Sequence, residues 1–347
     1  MQYQPGLSIR TDAVTYRLLN EWQRDFPLTP RPFAVIAEKT GVTEATVLEI
    51  YRNLHAEGIV GRVGPVFAPH RLGTSALAAL SAPPERLHDI AERVNREQAI
   101  NHNYQREHAF NLWFVITASS SDHLHTIVEG IEADTGCDVI VLPLEEEFHI
   151  DLGFDLGRHV ANGTVRQRAR PVALPRSKTP VCRLSDAERH LVSVLQGGLP
   201  LVKEPFAASG ARAGMGAADV LKTVGAWLES GVIRRFGVVV RHHELGLNAN
   251  AMCVWDIPDE QVTALGKMLA AEPAVTLCYR RRRVLPHWPY NLFCMIHGVR
   301  RSEVLAARNV LAAKYGLDGW PHDILFSCRR FKQTGAHYIA AKEGQPA

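Results

Sequence analysis

The sequence predicts an α+β fold built from two tandem copies of one plan. The main observation is an internal repeat: Gly-Ile-Val-Gly-Arg-Val-Gly at 58–64 returns as Gly-Val-Ile-Arg-Arg-Phe-Gly at 231–237. A second pair, Asn-Leu-Trp-Phe-Val-Ile at 111–116 and Asn-Leu-Phe-Cys-Met-Ile at 291–296, keeps the same order. Similarity repeated at a long spacing indicates repeated structural units, so each half of the chain is expected to fold alike.

The first part of each copy has helical periodicity and ends in an apolar segment. In copy one, a helix that follows Gly41 and starts at Thr43 has the N-cap of a second helix in a helix-turn-helix. Gly58 then stops the helix, and an apolar hairpin at 59–67 is expected to form a wing. The helices are expected at 16–22, 34–39 and 43–57 in copy one, and at 188–195, 206–209 and 217–230 in copy two.

The second part of each copy alternates strands with helices. The order βαββαβ is that of a ferredoxin-like domain. In copy one the strands are expected at 75–80, 99–106, 111–117 and 139–142, with helices at 84–97 and 121–134. The same order is expected in copy two from 249 to 326.

These patterns divide the chain into five segments. Residues 166–179 alternate Arg, Pro and Lys without apolar periodicity, which is typical of a linker. The other segments are expected to be a winged helix-turn-helix at 1–67, a ferredoxin-like domain at 68–165, a second winged helix-turn-helix at 180–240 and a second ferredoxin-like domain at 241–347.

Composition excludes several classes of protein. The 347 residues are 46% hydrophobic and 22% charged, as in an ordinary globular protein, and no apolar run is long enough to cross a bilayer. The start of the chain lacks the basic and apolar regions of a signal peptide, so a cytoplasmic location is expected. The six cysteines are scattered without a Cys-x-x-Cys pair, which favours reduced thiols and predicts no protein-bound metal.

The sequence motifs (called strings below) that carry histidine, tyrosine and arginine side chains lie at the paired strands of each ferredoxin-like domain. Strand alternation places His102, Tyr104 and Arg106 on one face of the sheet in copy one. An arginine binds carboxylates bidentately, and a histidine exchanges protons near neutral pH. The residues by themselves therefore predict a site that binds a partly apolar polyanion and transfers protons.

A winged helix-turn-helix followed by a ferredoxin-like domain resembles the Lrp/AsnC regulators, and this resemblance covers nearly the whole chain twice. The strings are more specific, since together they resemble those of the siroheme decarboxylases of the heme d1 and alternative heme pathways. Copy one matches at His102, Tyr104, Arg106, His108, Asn111, Leu112, Trp113 and Phe114; copy two matches at Tyr279, Arg281, His287 to Leu292 and Met295 to Gly298. Copy two departs from copy one at Leu277, which stands where copy one has His102.

The resemblance implies that both related subunits of such an enzyme are fused here as a pseudo-dimer, with further homo-oligomers left open. It implies non-oxidative loss of the carboxyl groups of two siroheme acetates, which gives didecarboxysiroheme without an added cofactor, since the iron belongs to the substrate. His108 and His287, supported by His102, are expected to transfer protons or to ligate that iron. Substrate contacts are expected from Tyr104, Arg106, Asn111, Trp113, Phe114, Tyr279, Arg280, Arg281, Arg282, Arg283, Trp288, Tyr290, Asn291 and Phe293.

Other interpretations stay open at this point. The run Arg280–Arg283 is, taken alone, also typical of a solvated strand end, and aromatic residues on apolar strands are also typical of a core. The alternative function is a transcriptional regulator that senses a small molecule or tetrapyrrole, and a binder without activity is a third. The acids Glu44 and Glu49 in the recognition helix of copy one argue against a DNA partner, because they would face phosphates.

Overall fold

The computed structural model describes residues 12–150, 182–240 and 249–339. These residues form two compact units. The first unit holds the described parts of 1–73, 173–246 and 335–347, and the second holds those of 74–172 and 247–334. Each unit therefore combines one part of copy one with the corresponding part of copy two. The predicted linker at 166–179 lies outside the described residues, and the predicted segment boundaries stay predictions.

The elements follow one another in the predicted order in both copies, and the α+β class is confirmed. Copy one contains α1 (Ala13–Glu21), α2 (Pro32–Thr40), α3 (Glu44–Ala56), β1 (Val60–Phe67), α4 (Pro69–Leu72), β2 (Thr74–Leu80), α5 (Leu87–Arg96), β3 (Ile100–Arg106), β4 (Leu112–Ala118), α6 (Ser121–Thr135) and β5 (Val139–Ile150). Copy two contains α7 (Asp186–Leu195), α8 (Pro205–Ala213), α9 (Ala217–Glu229), β6 (Ile233–Val240), β7 (Ala249–Trp255), α10 (Asp259–Ala270), β8 (Val275–Arg281), β9 (Leu292–Gly298), α11 (Arg301–Tyr315), a 3₁₀ turn (Leu317–Gly319) and β10 (His322–Gln333).

Local capping explains where the helices of the first unit begin. The Thr43 hydroxyl accepts a hydrogen bond of 3.1 Å from the amide of Thr46, as the sequence predicts for the start of α3. Ser185 and Glu188 form a reciprocal capping box at the start of α7. Gly41 ends α2 in the left-handed region, at a φ of 75°, where a side chain would be strained.

The predicted wing is the one element of this unit that is wrong. Residues 59–67 do not form a hairpin, because β1 is a single continuous strand. It pairs antiparallel with β6 of the other copy, with Gly64 opposite Gly237 and Pro65 opposite Phe236. An isolated two-stranded hairpin is only marginally stable, whereas this pairing lets the two copies share one core. Phe236 contacts Phe26 of copy one, with the ring centroids 5.9 Å apart.

The second unit is a closed barrel of eight strands in the order β10-β3-β4-β2-β5-β8-β9-β7, with β7 paired back to β10. The long strands β5 and β10 close it. The first part of β5 pairs with β2 of its own copy, and its second part pairs with β8 of the other. In the same way β10 pairs first with β7 and then with β3. The two ferredoxin-like domains are thus joined strand by strand.

Two layers of apolar side chains follow from strand alternation. Outside the barrel, α5 and α6 cover the sheet of copy one, and α10 and α11 cover that of copy two. Inside the barrel a separate cluster is formed by bulky side chains from both copies: Trp113, Leu142, Met252, Val254, Trp288, Phe293, Met295 and Leu325. In the part of the chain that the structure describes, no helix has the length and apolar character needed to span a membrane.

The pairing of β1 with β6 depends on a close backbone approach at Gly237. The amide of Val238 donates a hydrogen bond of 2.8 Å to the carbonyl of Trp22, and a Cβ at Gly237 would meet the carbonyl oxygens of Trp22 and Gln23. We therefore expect Gly237→Ala to lower the free energy of unfolding by about 1–3 kcal/mol, measured by chemical denaturation.

Gly225→Ala is the matched control, because Gly225 lies in α9 and a Cβ there meets no atom within 4 Å. It should raise the free energy of unfolding by up to about 1 kcal/mol, since alanine has the higher helix propensity. An equal, small effect of both substitutions on the free energy of unfolding would contradict the close approach of the backbone at Gly237.

Candidate active site in the barrel interior

The interior face of β3 carries the polar residues that the sequence singled out. Tyr104 lies opposite Trp113 of the interior cluster, whereas Asn103 lies opposite Phe114 on the helix-covered side. The rings of His102 and Tyr104 are 6.2 Å apart, and the Arg106 guanidinium lies 5.8 Å from the Tyr104 ring. The predicted common face of His102, Tyr104 and Arg106 is therefore confirmed.

Two buried arginines occupy equivalent places in the two copies. Arg106 is 7% exposed and donates from Nη1 to the carbonyl of Leu325 at 3.0 Å. Arg281 is 8% exposed and donates from Nη1 to the carbonyl of Leu142 at 2.8 Å. Each arginine is thus held by the long closing strand of the other copy. Among the described residues, nothing accepts a hydrogen bond from the buried Nε of either one.

Burial shifts the pKa of both arginines and of the neighbouring Tyr279, but it does not change their charge at neutral pH. Burial lowers the pKa of the Arg106 guanidinium to about 10, so it stays a cation at neutral pH. Burial also lowers the pKa of Arg281, whose guanidinium lies 4.9 Å from the Tyr279 ring. The same burial raises the pKa of Tyr279 to about 12, so this phenol stays protonated. The interior therefore presents two cations with donor capacity to spare.

The three predicted catalytic histidines differ in their surroundings. His102 is half-buried on β3, and burial lowers its pKa to about 4. His108 lies in the turn between β3 and β4, where its Nδ1 accepts a hydrogen bond of 2.9 Å from the amide of Phe110. His287 lies in the connection between β8 and β9 and is exposed. Of the three, His102 and His108 contact other aromatic residues of the second unit.

Trp288 joins the two copies at the interior. Its ring is fully buried and lies 4.9 Å from that of Trp113, 5.4 Å from that of His108 and 5.0 Å from that of Tyr290. It also stacks 6.2 Å from Phe293. The predicted aromatic residues Trp113, Trp288, Tyr290 and Phe293 are therefore brought together, whereas Phe114 packs on the other side of the sheet, under the helices.

The rest of the arginine run pairs with carboxylates of the protein itself. Arg280 lies 3.0 Å from Glu145 and 2.8 Å from Asp259, and Arg283 lies 2.7 Å from Asp256. Arg282 is 69% exposed and lies 3.5 Å from Glu145. Successive side chains of a strand point to opposite faces, which is why Arg281 reaches the interior cluster and Arg280 does not.

Asn111 and Asn291 hold loops. The Asn111 side chain accepts from the amide of Ala82 at 2.9 Å and donates to the carbonyl of the same residue at 2.8 Å. Asn291 makes the equivalent pair of bonds to Ile257, at 3.0 and 2.9 Å. These bonds use the amide groups that the sequence-based prediction assigned to substrate. The contacts give both residues a structural function.

Two features of the site were missed in the sequence. Asp323 on β10 lies 3.4 Å from His108 Nε2, and the carbonyls of Leu142 and Leu325 hold the arginines. No short motif marks them, because they lie far along the chain from the strings with which they interact.

A pocket of about 430 Å³ adjoins His108 and is lined mainly by α5, β3 and β10. Within the described ranges, no three His, Cys, Asp or Glu side chains converge as a metal site requires.

The fold and this interior define a ligand-binding protein of the AsnC-like class, with a cationic and aromatic site inside the paired α+β domains. Family comparisons narrow the class. Residues 71–149 and 244–332 match the AsnC-like ligand binding domain, and residues 16–60 and 188–234 match the siroheme decarboxylase NirDL-like HTH domain. The chain is 42% identical over 325 residues to the siroheme decarboxylase NirDL subunit of Paracoccus denitrificans, covering 94% of this chain and 97% of that one. It belongs to the siroheme decarboxylase NirDL family.

Further relatives agree with this assignment. The siroheme decarboxylase of Hydrogenobacter thermophilus is 31% identical over 93% of this chain and 94% of its own length. The shorter NirD subunit of Pseudomonas aeruginosa is 46% identical over 42% of this chain and 97% of its own length. The crystal structure of a NirDL enzyme in complex with an iron-uroporphyrin III analogue has a TM-score of 0.67 and 28% identity, covering 94% of both chains. One chain here thus spans what shorter relatives carry in separate subunits.

The low pKa of His102 predicts a pH-dependent difference in stability. As pH falls below the ordinary histidine pKa, the unfolded chain takes up a proton at this position, whereas the folded chain does so only near pH 4. Between these values the wild type should lose roughly 1 kcal/mol of unfolding free energy per pH unit more than His102→Gln does. Denaturant titrations of both proteins from pH 7 to pH 4 measure this. Parallel curves would contradict a His102 that stays neutral in the folded chain.

Proposed function

We propose that the chain is a siroheme decarboxylase that converts two acetate side chains of siroheme to methyl groups. The observation that carries the proposal is the pair of buried, charged arginines Arg106 and Arg281 inside an aromatic barrel, each with an unused Nε donor. A flat, apolar macrocycle with carboxylates around its rim is complementary to such an interior. The names of the full-length relatives support the same substrate.

The two arginines bind substrate carboxylates in this proposal, and the aromatic cluster contacts the ring. Tyr104 and Tyr279 extend the polar lining, since each lies beside its arginine. Trp288 fills the interior between Trp113 and His108, so substrate binding requires the connection that carries Trp288 to move. Arg280 and Arg283, which pair with acids of the protein, hold this connection in place.

The reaction needs a bound anion and a proton but no oxidant. The bond between the acetate methylene and its carboxylate breaks, carbon dioxide leaves, and the electron pair stays on the methylene carbon, from which the macrocycle delocalises it. A proton then completes the methyl group, so one proton is consumed for each carbon dioxide released. We assign its delivery to His108, because His108 contacts the interior cluster through Trp288 whereas His287 is exposed.

The remaining assignments concern the setting of the reaction. The fused copies act as a pseudo-dimer in one chain, in which the helix-turn-helix regions serve as packing modules and not as DNA-binding modules. We place the enzyme in the cytoplasm, in the heme d1 or alternative heme pathway, and leave higher oligomers to measurement.

Incubation of the purified chain with siroheme without oxygen tests the function directly. Mass spectrometry of the extracted tetrapyrrole should show the loss of one and then two carbon dioxide units, with no change in oxidation level. A shifted absorption spectrum with an unchanged mass would instead indicate a binder or sensor. If the mass stays the same and the absorption spectrum does not shift, the tetrapyrrole assignment is wrong.

Substitution of the arginines tests the binding role. Arg106→Met and Arg281→Met should each weaken siroheme binding at least about tenfold, because each removes a charge-assisted contact to a carboxylate. Arg189→Met, at an exposed arginine of α7, removes the same charge elsewhere and should leave the affinity unchanged. Fluorescence quenching of the tryptophans on siroheme titration measures all three, and equal affinities would remove the arginines from the site.

Substitution of the histidines tests proton delivery. His108→Ala should lower kcat about 10²–10⁴-fold with siroheme still bound, as expected for the loss of a general acid. His287→Ala should retain most of the wild-type kcat, since its side chain is exposed. Anaerobic rate measurements on both variants decide between them, and the reverse ranking would move the proton donor to His287.

A further inference from the structure

We propose that Asp323 is a positioning residue that fixes the ring of His108 in the tautomer with its proton on Nε2. This inference rests on the proposed function, in which His108 delivers the proton. Asp323 belongs to β10 of copy two and His108 to the β3–β4 turn of copy one, so the pair forms only in the closed barrel.

The hydrogen bonds around the imidazole carry the inference. An amide N–H can only donate, so the Phe110 amide, 2.9 Å from Nδ1, requires a lone pair there. The proton of the neutral ring must then lie on Nε2, which is 3.4 Å from Oδ2 of Asp323. The other carboxylate oxygen of Asp323 accepts from the amide of Ile324 at 2.6 Å, which fixes the carboxylate. The ring is thus held at both nitrogens.

The arrangement exists around one of the two buried arginines only. His108 lies two residues after Arg106, and Asp323 lies two residues before Leu325, which holds that arginine. At Arg281, the residue two positions later is Arg283. Its partner carbonyl belongs to Leu142, and the residue two positions before Leu142 is Ile140. Copy two also has Leu277 where copy one has His102. His102, His108 and Asp323 therefore belong to the surroundings of Arg106, although both copies hold a buried arginine.

Several charged groups surround His108. Asp323 faces the ring from β10; Glu107 precedes it and pairs with Arg301 of α11; Arg106, Arg329 and His88 line the adjoining pocket. Burial lowers the pKa of His108, and the negative charge of Asp323 opposes this shift. Removal of the Asp323 charge should therefore lower the pKa of His108 further.

The carboxylate also serves the proton balance. The acid is the doubly protonated imidazolium form of the ring; after it passes one proton to the methylene carbon it is neutral, and it must regain a proton from solvent before the second carboxyl group can react. Asp323 is 40% exposed, so it joins the ring to water and stabilises the reprotonated form. Loss of Asp323 should slow turnover more than it weakens binding.

Spectroscopy of the full-length chain tests the positioning role without any need for activity. In protein labelled with ¹⁵N-histidine, long-range proton–nitrogen correlations identify the tautomer of His108, whose signal is assigned by its absence in His108→Gln. We expect the Nε2–H form in the wild type and a mixture of tautomers, with a lowered His108 pKa, in Asp323→Asn. Glu107→Gln removes an equal charge from the residue next to His108, where the carboxylate pairs with Arg301, and it should keep the wild-type tautomer.

Kinetics supply the second readout. Asp323→Asn should lower kcat about tenfold or more, but less than the loss of the acid itself, with KM changed less than about twofold. The alkaline limb of its pH profile should move to lower pH, and Asp323→Glu should restore part of the rate. An unchanged tautomer and pH profile in a folded Asp323→Asn would overturn the inference. If the wild type fails to decarboxylate siroheme while the tautomer shifts as expected, the proposed function is wrong but the positioning contact stands.

Discussion

The exchange of the long strands β5 and β10 is the interaction on which the rest of the second unit depends. Each strand leaves its own sheet and completes the sheet of the other copy, so all eight strands pair and no edge remains. The same strands carry the carbonyls of Leu142 and Leu325, which hold the buried arginines. The strand pairings that close the barrel therefore also build the site. A single copy would lack both the closure and one hydrogen-bond partner of its arginine.

Keeping two guanidinium groups in an apolar interior opposes folding, because burial disfavours the charged form and each Nε lacks an acceptor among the described residues. Such a cost is tolerable where a ligand supplies the missing acceptors. The neighbouring arginines differ in this respect. Arg280 and Arg283 are paired with carboxylates of the protein, those of Asp256, Asp259 and Glu145. Arg280 and Arg283 are thus paired within the protein, whereas the Nε groups of Arg106 and Arg281 have no acceptor among the described residues.

The two copies share a frame but differ in chemistry. Both keep an arginine above a tyrosine and an asparagine that holds a loop, whereas the positions equivalent to His102, His108 and Asp323 hold Leu277, Arg283 and Ile140. Copy two also has a longer connection between its central strands, and this connection delivers Trp288 to the interior.

The sequence by itself determined the repeat, the order of the elements and the common face of His102, Tyr104 and Arg106, because these follow from local periodicity. It also determined the family, since the strings at Tyr104 and Tyr279 are specific. Tertiary structure alone decided that β1 pairs with β6 and that Asn111 holds a loop. It also decided that Asp323 meets His108. These outcomes depend on pairing between strands far apart in the chain, and no local pattern records which strand of the other copy will lie alongside.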